Sequence, residues 1–448
     1  MAAATGGAVT LNEDVTLDKP LVVQGDMIIN LNGKTLTGNL SVNAGATLSA
    51  NGGSIVNNDE TTSGIVSNGT LTLDDVNVTS ARHALRIESG TAVINGGTYK
   101  VAPTSSKTVH AVNVGDDGTS ANVVIKGGTF IGPKGTIADS GSAVNVRNGS
   151  SVKIEGGDFS GGKKNTLSGS DIAVSGGTFD QDPSAWVAEG YKAVKNGDKY
   201  YVVANNVDAV ASTEAEIKAA AGAGGTIVVA AGEYTFPASS IVAGTTLVCE
   251  EGTVFQGKTS LNINGATVEG ATFENNSGDV LNSGTVNGTF KNCKFIGSGN
   301  ALRNAYAGET VVFEDCEFSG SVYGIHFDGC ANDVIFRNCV ISGFNALGAA
   351  LTMVTFEGCT FKGNGISGYN GANLWGSAKM INCEFTFDGS TANEWIDCIG
   401  LDKTYEFENC TVNGVAYTKD NYTTAPNDNI FSRNHHPSIK INGVACAF

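Results

Sequence analysis

Hydrophobic residues in this chain keep no single period for long. They return instead in a six-residue phrase with an apolar residue at each end. Between residues 290 and 412 it reads Phe290-Lys-Asn-Cys-Lys-Phe295, Phe313-Glu-Asp-Cys-Glu-Phe318, Phe336-Arg-Asn-Cys-Val-Ile341, Phe356-Glu-Gly-Cys-Thr-Phe361, Met380-Ile-Asn-Cys-Glu-Phe385 and Phe407-Glu-Asn-Cys-Thr-Val412. Its cysteines, Cys293, Cys316, Cys339, Cys359, Cys383 and Cys410, recur at intervals of about two dozen residues, inside the range of solenoid repeats. A softer version occupies the N-terminal part of the chain: Ile94-Asn-Gly-Gly-Thr-Tyr99, Ile125-Lys-Gly-Gly-Thr-Phe130, Ile154-Glu-Gly-Gly-Asp-Phe159 and Val174-Ser-Gly-Gly-Thr-Phe179. Looser forms precede these at Leu31-Asn-Gly-Lys-Thr-Leu36, Ala50-Asn-Gly-Gly-Ser-Ile55 and Leu73-Asp-Asp-Val-Asn-Val78.

Side chains alternate across a strand, so a fully extended phrase would place its two apolar ends on opposite faces. One bend resets the parity. A left-handed backbone at position three accounts for Gly96, Gly127, Asn292, Asp315 and Asn338 there, since these residue types tolerate it. Position four then turns inward beside a crowded corner and admits only small residues such as Gly97, Gly128, Ala271, Cys293 or Cys316. Positions two and five face solvent. Each phrase is two short strands meeting at a corner, once per coil, and the coils stack as parallel strands about 4.8 Å apart. Position two, reading Lys291, Glu314, Arg337 and Glu357, alternates in sign up the stack, as cross-strand neighbours do. The predicted fold is all-β, a parallel solenoid in two tandem modules.

The first module spans 1–204, and its last part, 181–204, reads as a cap: a helical turn, then a hairpin closed by Asn196-Gly197. Such a cap covers edge strands that would otherwise be open. Asn205-Asn206 serves as linker. The second module spans 205–410 and begins with a capping helix at 212–222, where a capping residue and early acids precede a run of alanines and a terminal glycine. From 411 to 448 the repeat fades into a terminal cap or docking segment.

Composition narrows the function classes. Sixty glycines against seven prolines, with 16% charged residues, suit short strands and tight turns. A net charge of −17 disfavours nucleic acid and anionic membrane surfaces as partners. No apolar run approaches the roughly 18 residues of a membrane span, so membrane insertion is not expected. Met1-Ala-Ala-Ala-Thr-Gly-Gly has neither a basic nor an apolar export region, which leads to the expectation of a protein made and used without secretion, with a removed signal as the alternative. All ten cysteines lie between Cys249 and Cys446. Stacked in register, neighbouring cysteines sit on strands about 4.8 Å apart with near-parallel Cβ vectors, whereas a disulfide wants Cβ atoms about 3.8 Å apart. The expectation is a ladder of buried thiols behaving as small hydrophobes, which suits folding in a reducing cytoplasm.

Glu216 to Tyr234 resembles the entry segment of pectin-lyase-like right-handed parallel β-helix proteins, and the Asn-Cys-x-Phe coils resemble their body. The Gly-Gly-Thr-Phe coils are similar to β-helix modules of gut-bacterial surface proteins and of phage virion and tailspike proteins. Together these resemblances cover nearly the whole chain. They imply a right-handed β-helix and leave function open, because the superfamily holds lyases, hydrolases, tailspikes, fibres and adhesins. Lyases of the family use clustered aspartates for calcium with an arginine or lysine base; its hydrolases use neighbouring aspartates and a Gly-His-Gly. This chain has no Gly-His-Gly, and its paired aspartates, Asp74-Asp75 and Asp116-Asp117, fall in turns.

The strongest catalytic candidates are Asp315, Glu317, His326 and Asp328, with Asp333 nearby, because Gly324 to Gly329 reads as a strand that would turn His326 and Asp328 outward together. Glu317 shares its ladder with Lys294 and Glu384, which reads as ordinary solvated surface. No metal site is expected, since there is no Cys-x-x-Cys and the adjacent His435 and His436 point apart on an extended chain. No cofactor is expected. Tyr306, Tyr323, Tyr369, Trp375 and Trp395 fall between the phrases of the second module and form a candidate glycan-binding groove with Asn304, Asn370 and Asn373.

The leading expectation is a non-enzymatic β-helix on a phage virion, as fibre, spike or capsid-decorating protein. Its expected partners are other virion or surface proteins and host surface polysaccharide, and homotrimeric assembly is compatible with a fibre. The alternatives are a secreted bacterial surface adhesin or glycan-binding protein, extracellular or on the cell surface, and a polysaccharide lyase or glycoside hydrolase.

Overall fold

A computed structural model describes residues 2–4, 6–102, 108–133, 141–147, 149–162, 166–330, 333–347, 353–363, 372–386, 396–398, 400–422 and 438–446. The fold is a right-handed β-solenoid of about 16 turns, with one α-helix among the described residues. The chain divides into two compact units, Met1–Asn206 and Val207–Phe448.

In the first unit, one parallel sheet stacks Leu21–Val23, Leu40–Val42, Ile65–Ser67, Leu85–Ile87, Val112–Val114, Val144–Val146 and Leu167–Ser168. The six-residue phrase builds the other sheet. Leu73 pairs with Ile94 and Val78 with Tyr99, so both ends of the phrase stay in register from coil to coil. Position six forms a buried ring stack, Tyr99 on Phe130 on Phe159 on Phe179, with centroids 5.0, 4.8 and 4.8 Å apart. Each such ring contributes about 1.5–3 kcal/mol by burial, and stacking adds roughly 1 kcal/mol per pair. Ser184–Trp186 forms a short 3-10 turn, and the hairpin Tyr191–Asn196 with Lys199–Ala204 lies antiparallel on the last coil through Phe179 and Tyr200. Asn196 pairs with Lys199, so the two-residue loop is Gly197-Asp198, one residue later than expected; Gly197 takes φ 60, which suits the first loop position.

The second unit opens on α1, Glu214–Ala223. The helix begins two residues later than expected because Thr213 is the N-cap: its hydroxyl accepts the Glu216 N–H at 3.3 Å, and the Glu216 carboxylate accepts the Ser212 N–H at 2.9 Å. Together these bonds resemble a capping box, with the carboxylate on the N–H one residue before the N-cap. Ile217 and Ala221 are buried in the unit's core and seat the helix against its first strands. Above it, position one stacks Phe290, Phe313, Phe336 and Phe356 at 5.2, 5.0 and 4.8 Å, while position six stacks Phe295 on Phe318 at 4.9 Å. Lys291 meets Glu314 at 3.2 Å, and Arg337 meets Glu357 at 3.7 Å, along position two. Two short antiparallel returns, Thr411–Val412 with Val415–Ala416 and Ser438–Ile441 with Val444–Ala445, end the described part.

The corner geometry corrects one expectation. In the second unit position three is left-handed, with φ between 49 and 64 at Asn292, Asp315, Asn338, Gly358, Asn382 and Asn409. The early coils of the first unit follow suit at Gly52 and Asp75, and Val76 at position four is fully buried. In the Gly-Gly coils the positive φ moves to position four, at Gly97, Gly128, Gly157 and Gly177, and Gly96 and Gly127 are not left-handed. A Cβ on Gly97 would collide with the Val76 carbonyl, and one on Gly128 would lie 2.7 Å from the Gly97 oxygen. Position four here presses backbone on backbone. It is therefore not equivalent to the cysteine of the second unit, which turns its side chain into the core.

Candidate functional site

The cysteine ladder is interior. Cys293, Cys316, Cys339, Cys359, Cys383 and Cys410 are each at most 2% exposed, and the nine cysteines whose side chains are described are free thiols. Each Sγ lies against the position-one carbonyl of the preceding coil: Cys316 on Phe290 at 3.3 Å, Cys339 on Phe313 at 3.6 Å, Cys359 on Phe336 at 3.5 Å. Burial pushes the Cys249 thiol up to about 12 and holds Cys316 higher still. Such thiols are protonated and unreactive at neutral pH.

The chemistry-bearing candidates separate into two places. Asp315 sits at a corner and accepts a hydrogen bond from the Asn338 side chain at 3.1 Å. Glu317 faces Lys294 at 4.0 Å in the solvated ladder, and Asp333 is exposed beside the next strand. His326 and Asp328 lie nine and eleven residues further along the strand that Glu317 begins, Glu317–Cys330, on its outer face where Ile325 and Phe327 point into the core. Alternation puts the pair outward, as expected. The His326 Nε2–H donates to Asp328 Oδ1 at 2.9 Å, and Nδ1 accepts the Asn304 N–H at 3.4 Å. The ring also stacks on Tyr323, centroids 4.8 Å apart. Burial lowers the His326 pKa; Asp328 opposes and Arg303 adds to the lowering. A neutral imidazole with both nitrogens engaged has no lone pair left to act as a base.

Backbone register extends this face. Phe327 pairs with Leu347, Leu347 with Leu374, and Leu374 with Cys398. His326 therefore shares a row with positions 346, Asn373 and 397, and Trp375 falls at the same level as Asp328. Tyr306 enters from the coil before, opposite Gly329. Tyr306 is 47% and Trp375 41% exposed, high for large rings, and the Asn373 Oδ1 is buried without a hydrogen-bond partner. Tyr369, Trp395, Asn370, His435 and His436 lie outside the described residues.

Residues 240–392 match the family model described as Right handed beta helix region. This stretch is a right-handed β-helix. No curated protein and no solved structure matches the chain. The β-helix match spans the whole face from Tyr306 to Trp375. Among the described residues, no helix is long and apolar enough to cross a membrane, and no group of three or more His, Cys, Asp and Glu side chains is arranged to hold a metal ion.

Two features of the first unit escape the phrase-based reading. Asp116 and Asp117, read as a turn, form an ion cluster: Arg147 reaches Asp116 at 3.0 Å and Asp117 at 2.9 Å, and Arg86 bridges Asp116 and Glu88. His83 and His110 are stacked and buried. Their signal is a second phrase, His83-Ala-Leu-Arg-Ile87, His110-Ala-Val-Asn-Val114 and Ser142-Ala-Val-Asn-Val146, which recurs once per coil.

Proposed function

We propose that this protein is a non-enzymatic structural and adhesive β-helix displayed on a phage virion, as fibre, spike or decoration, and that it contacts host surface glycans. The observation that carries the glycan reading is the face of the second unit, on which exposed Tyr306 and Trp375 flank Asp328. Exposed aromatic rings beside fixed hydrogen-bonding groups suit the apolar faces and hydroxyls of sugars. The engaged nitrogens of His326, and the separate ladders of Asp315 and Glu317, support binding over catalysis. Buried free thiols support assembly in a reducing cytoplasm, as a virion protein requires.

Two measurements test the reading. Antibody labelling in electron microscopy is expected on phage particles; labelling of bacterial cells alone would replace the virion with a secreted adhesin. On a glycan array the wild-type protein is expected to bind, and Tyr306→Ala with Trp375→Ala to abolish the signal while near-ultraviolet circular dichroism stays native. Unchanged binding by the double variant would remove this face from the function.

A further inference from the structure

We infer that the face of the second unit takes an extended chain of neutral sugars, several rings long and running along the coil stack, with Asp328 as its central hydroxyl acceptor. This inference rests on the glycan-contact reading and specifies its ligand.

Length comes from register. Tyr306 and Trp375 lie on strands three coil steps apart, which at about 4.8 Å per step separates the rings by roughly 14 Å along the stack. One sugar ring cannot reach both. An oligosaccharide laid along the stack can place one sugar on each aromatic ring and present the hydroxyls of those between to Asp328.

The polar groups then select the ligand's charge. Asp328 lies on a coil between those of the two aromatic rings, its side chain 55% exposed, and the His326 Nε2–H anchors Oδ1 at 2.9 Å. An anchored carboxylate accepts hydroxyl hydrogen bonds strongly and repels a ligand carboxylate or sulfate at the same position. His326 supplies no compensating positive charge, because partial burial lowers its pKa and leaves its ring neutral. Arg303 is the cation within electrostatic reach of His326, and it is the residue on which an acidic glycan would have to depend. The chain's net charge of −17 adds long-range repulsion of polyanions.

Calorimetry of the full chain against two oligosaccharide series of increasing length, one neutral and one bearing uronic acids, tests the inference. Neutral chains are expected to bind, with affinity rising with length until the ligand spans both rings and then levelling, and with little dependence on salt. Asp328→Asn is expected to weaken neutral binding at least tenfold, and Arg303→Ala to change it less than twofold. His326→Gln, which keeps an N–H donor for Asp328, is expected to retain more affinity than His326→Ala. Preference for the acidic series, lost with Arg303→Ala and unaffected or improved by Asp328→Asn, would overturn the neutral assignment and leave the glycan reading standing. Binding of neither series would overturn both.

Discussion

The imidazoles of His83 and His110 lie parallel, centroids 5.4 Å apart and planes within 5°, and His83 Nδ1 accepts the backbone N–H of His110 at 3.0 Å. His110 repeats the arrangement with the N–H of Ser142, also at 3.0 Å. Each ring therefore replaces a main-chain acceptor between coils, which requires a neutral Nδ1. Burial first, then cations, hold both groups down: His83 to about 3, with His110, Arg82 and Arg86 adding, and His110 to about 4, with Arg147 adding. Asp116 and Glu88 are engaged by those same arginines.

A pH dependence follows. Because both folded-state values lie below the ordinary 6.5, the unfolded chain binds protons first. The stabilisation is complete above about pH 6.5 and drains as pH falls toward 4 and 3, by roughly 5 kcal/mol for the pair near pH 4.5 and about 8 kcal/mol once both rings are protonated. Urea unfolding of the first unit at pH 7 and at pH 4.5 checks this. The expected result is a large drop for the wild type and a shallower one for His83→Asn with His110→Asn, whose side-chain oxygens can still accept the N–H groups. Equal pH slopes would separate the acid response from the histidine stack.

The Gly-Gly corner gives a second prediction, on two adjacent residues. Gly97→Ala places a methyl group against the Val76 backbone at a positive φ of 91, where nothing flexible can give way. Gly96→Ala meets only the carboxylate of Asp75, which is an exposed side chain end able to turn aside. Chemical denaturation is expected to show a loss above about 2 kcal/mol for Gly97→Ala and less than about 1 kcal/mol for Gly96→Ala. The opposite order would restore position three as the left-handed residue of these coils.

That corner also marks how far the coils were legible. Asn292, Asp315 and Asn338 advertise a left-handed backbone because few other side chains tolerate it, and the structure has it there. Glycine tolerates either hand, so the pair Gly96-Gly97 carries no residue-level sign of which one bends. What decides is the carbonyl of Val76 in the coil below, a contact made only after stacking. The candidate face divides the same way. Alternation alone turns His326 and Asp328 outward, but bringing Trp375 level with Asp328 needs the pairing of Phe327 through Leu347 to Leu374 across inserts of unequal length. The histidine stack was written as plainly as the cysteine ladder, in a phrase that comes one sheet away from the glycine pairs.

The cysteine ladder yields the third prediction. Of the nine described thiols, Cys446 alone is not buried, and the six ladder positions point into the core with Sγ against carbonyl oxygens. A thiol reagent needs access, and burial withholds it from the ladder. Titration of the native protein is expected to modify Cys446 quickly and the ladder only as fast as the second unit opens, whereas the denatured chain releases all ten of its cysteines. Cys339→Ser keeps the size but puts a more strongly hydrated group into the core, with carbonyl oxygens at 3.2 and 3.6 Å to receive it, so the expected cost is about 1 kcal/mol. Cys339→Leu adds bulk between Cys316 and Cys359, where coil spacing cannot expand, and is expected to cost about 3 kcal/mol. Rapid native labelling at six or more sites would mean the ladder is open to solvent, and the thiols would then have to be reconsidered as chemistry rather than packing.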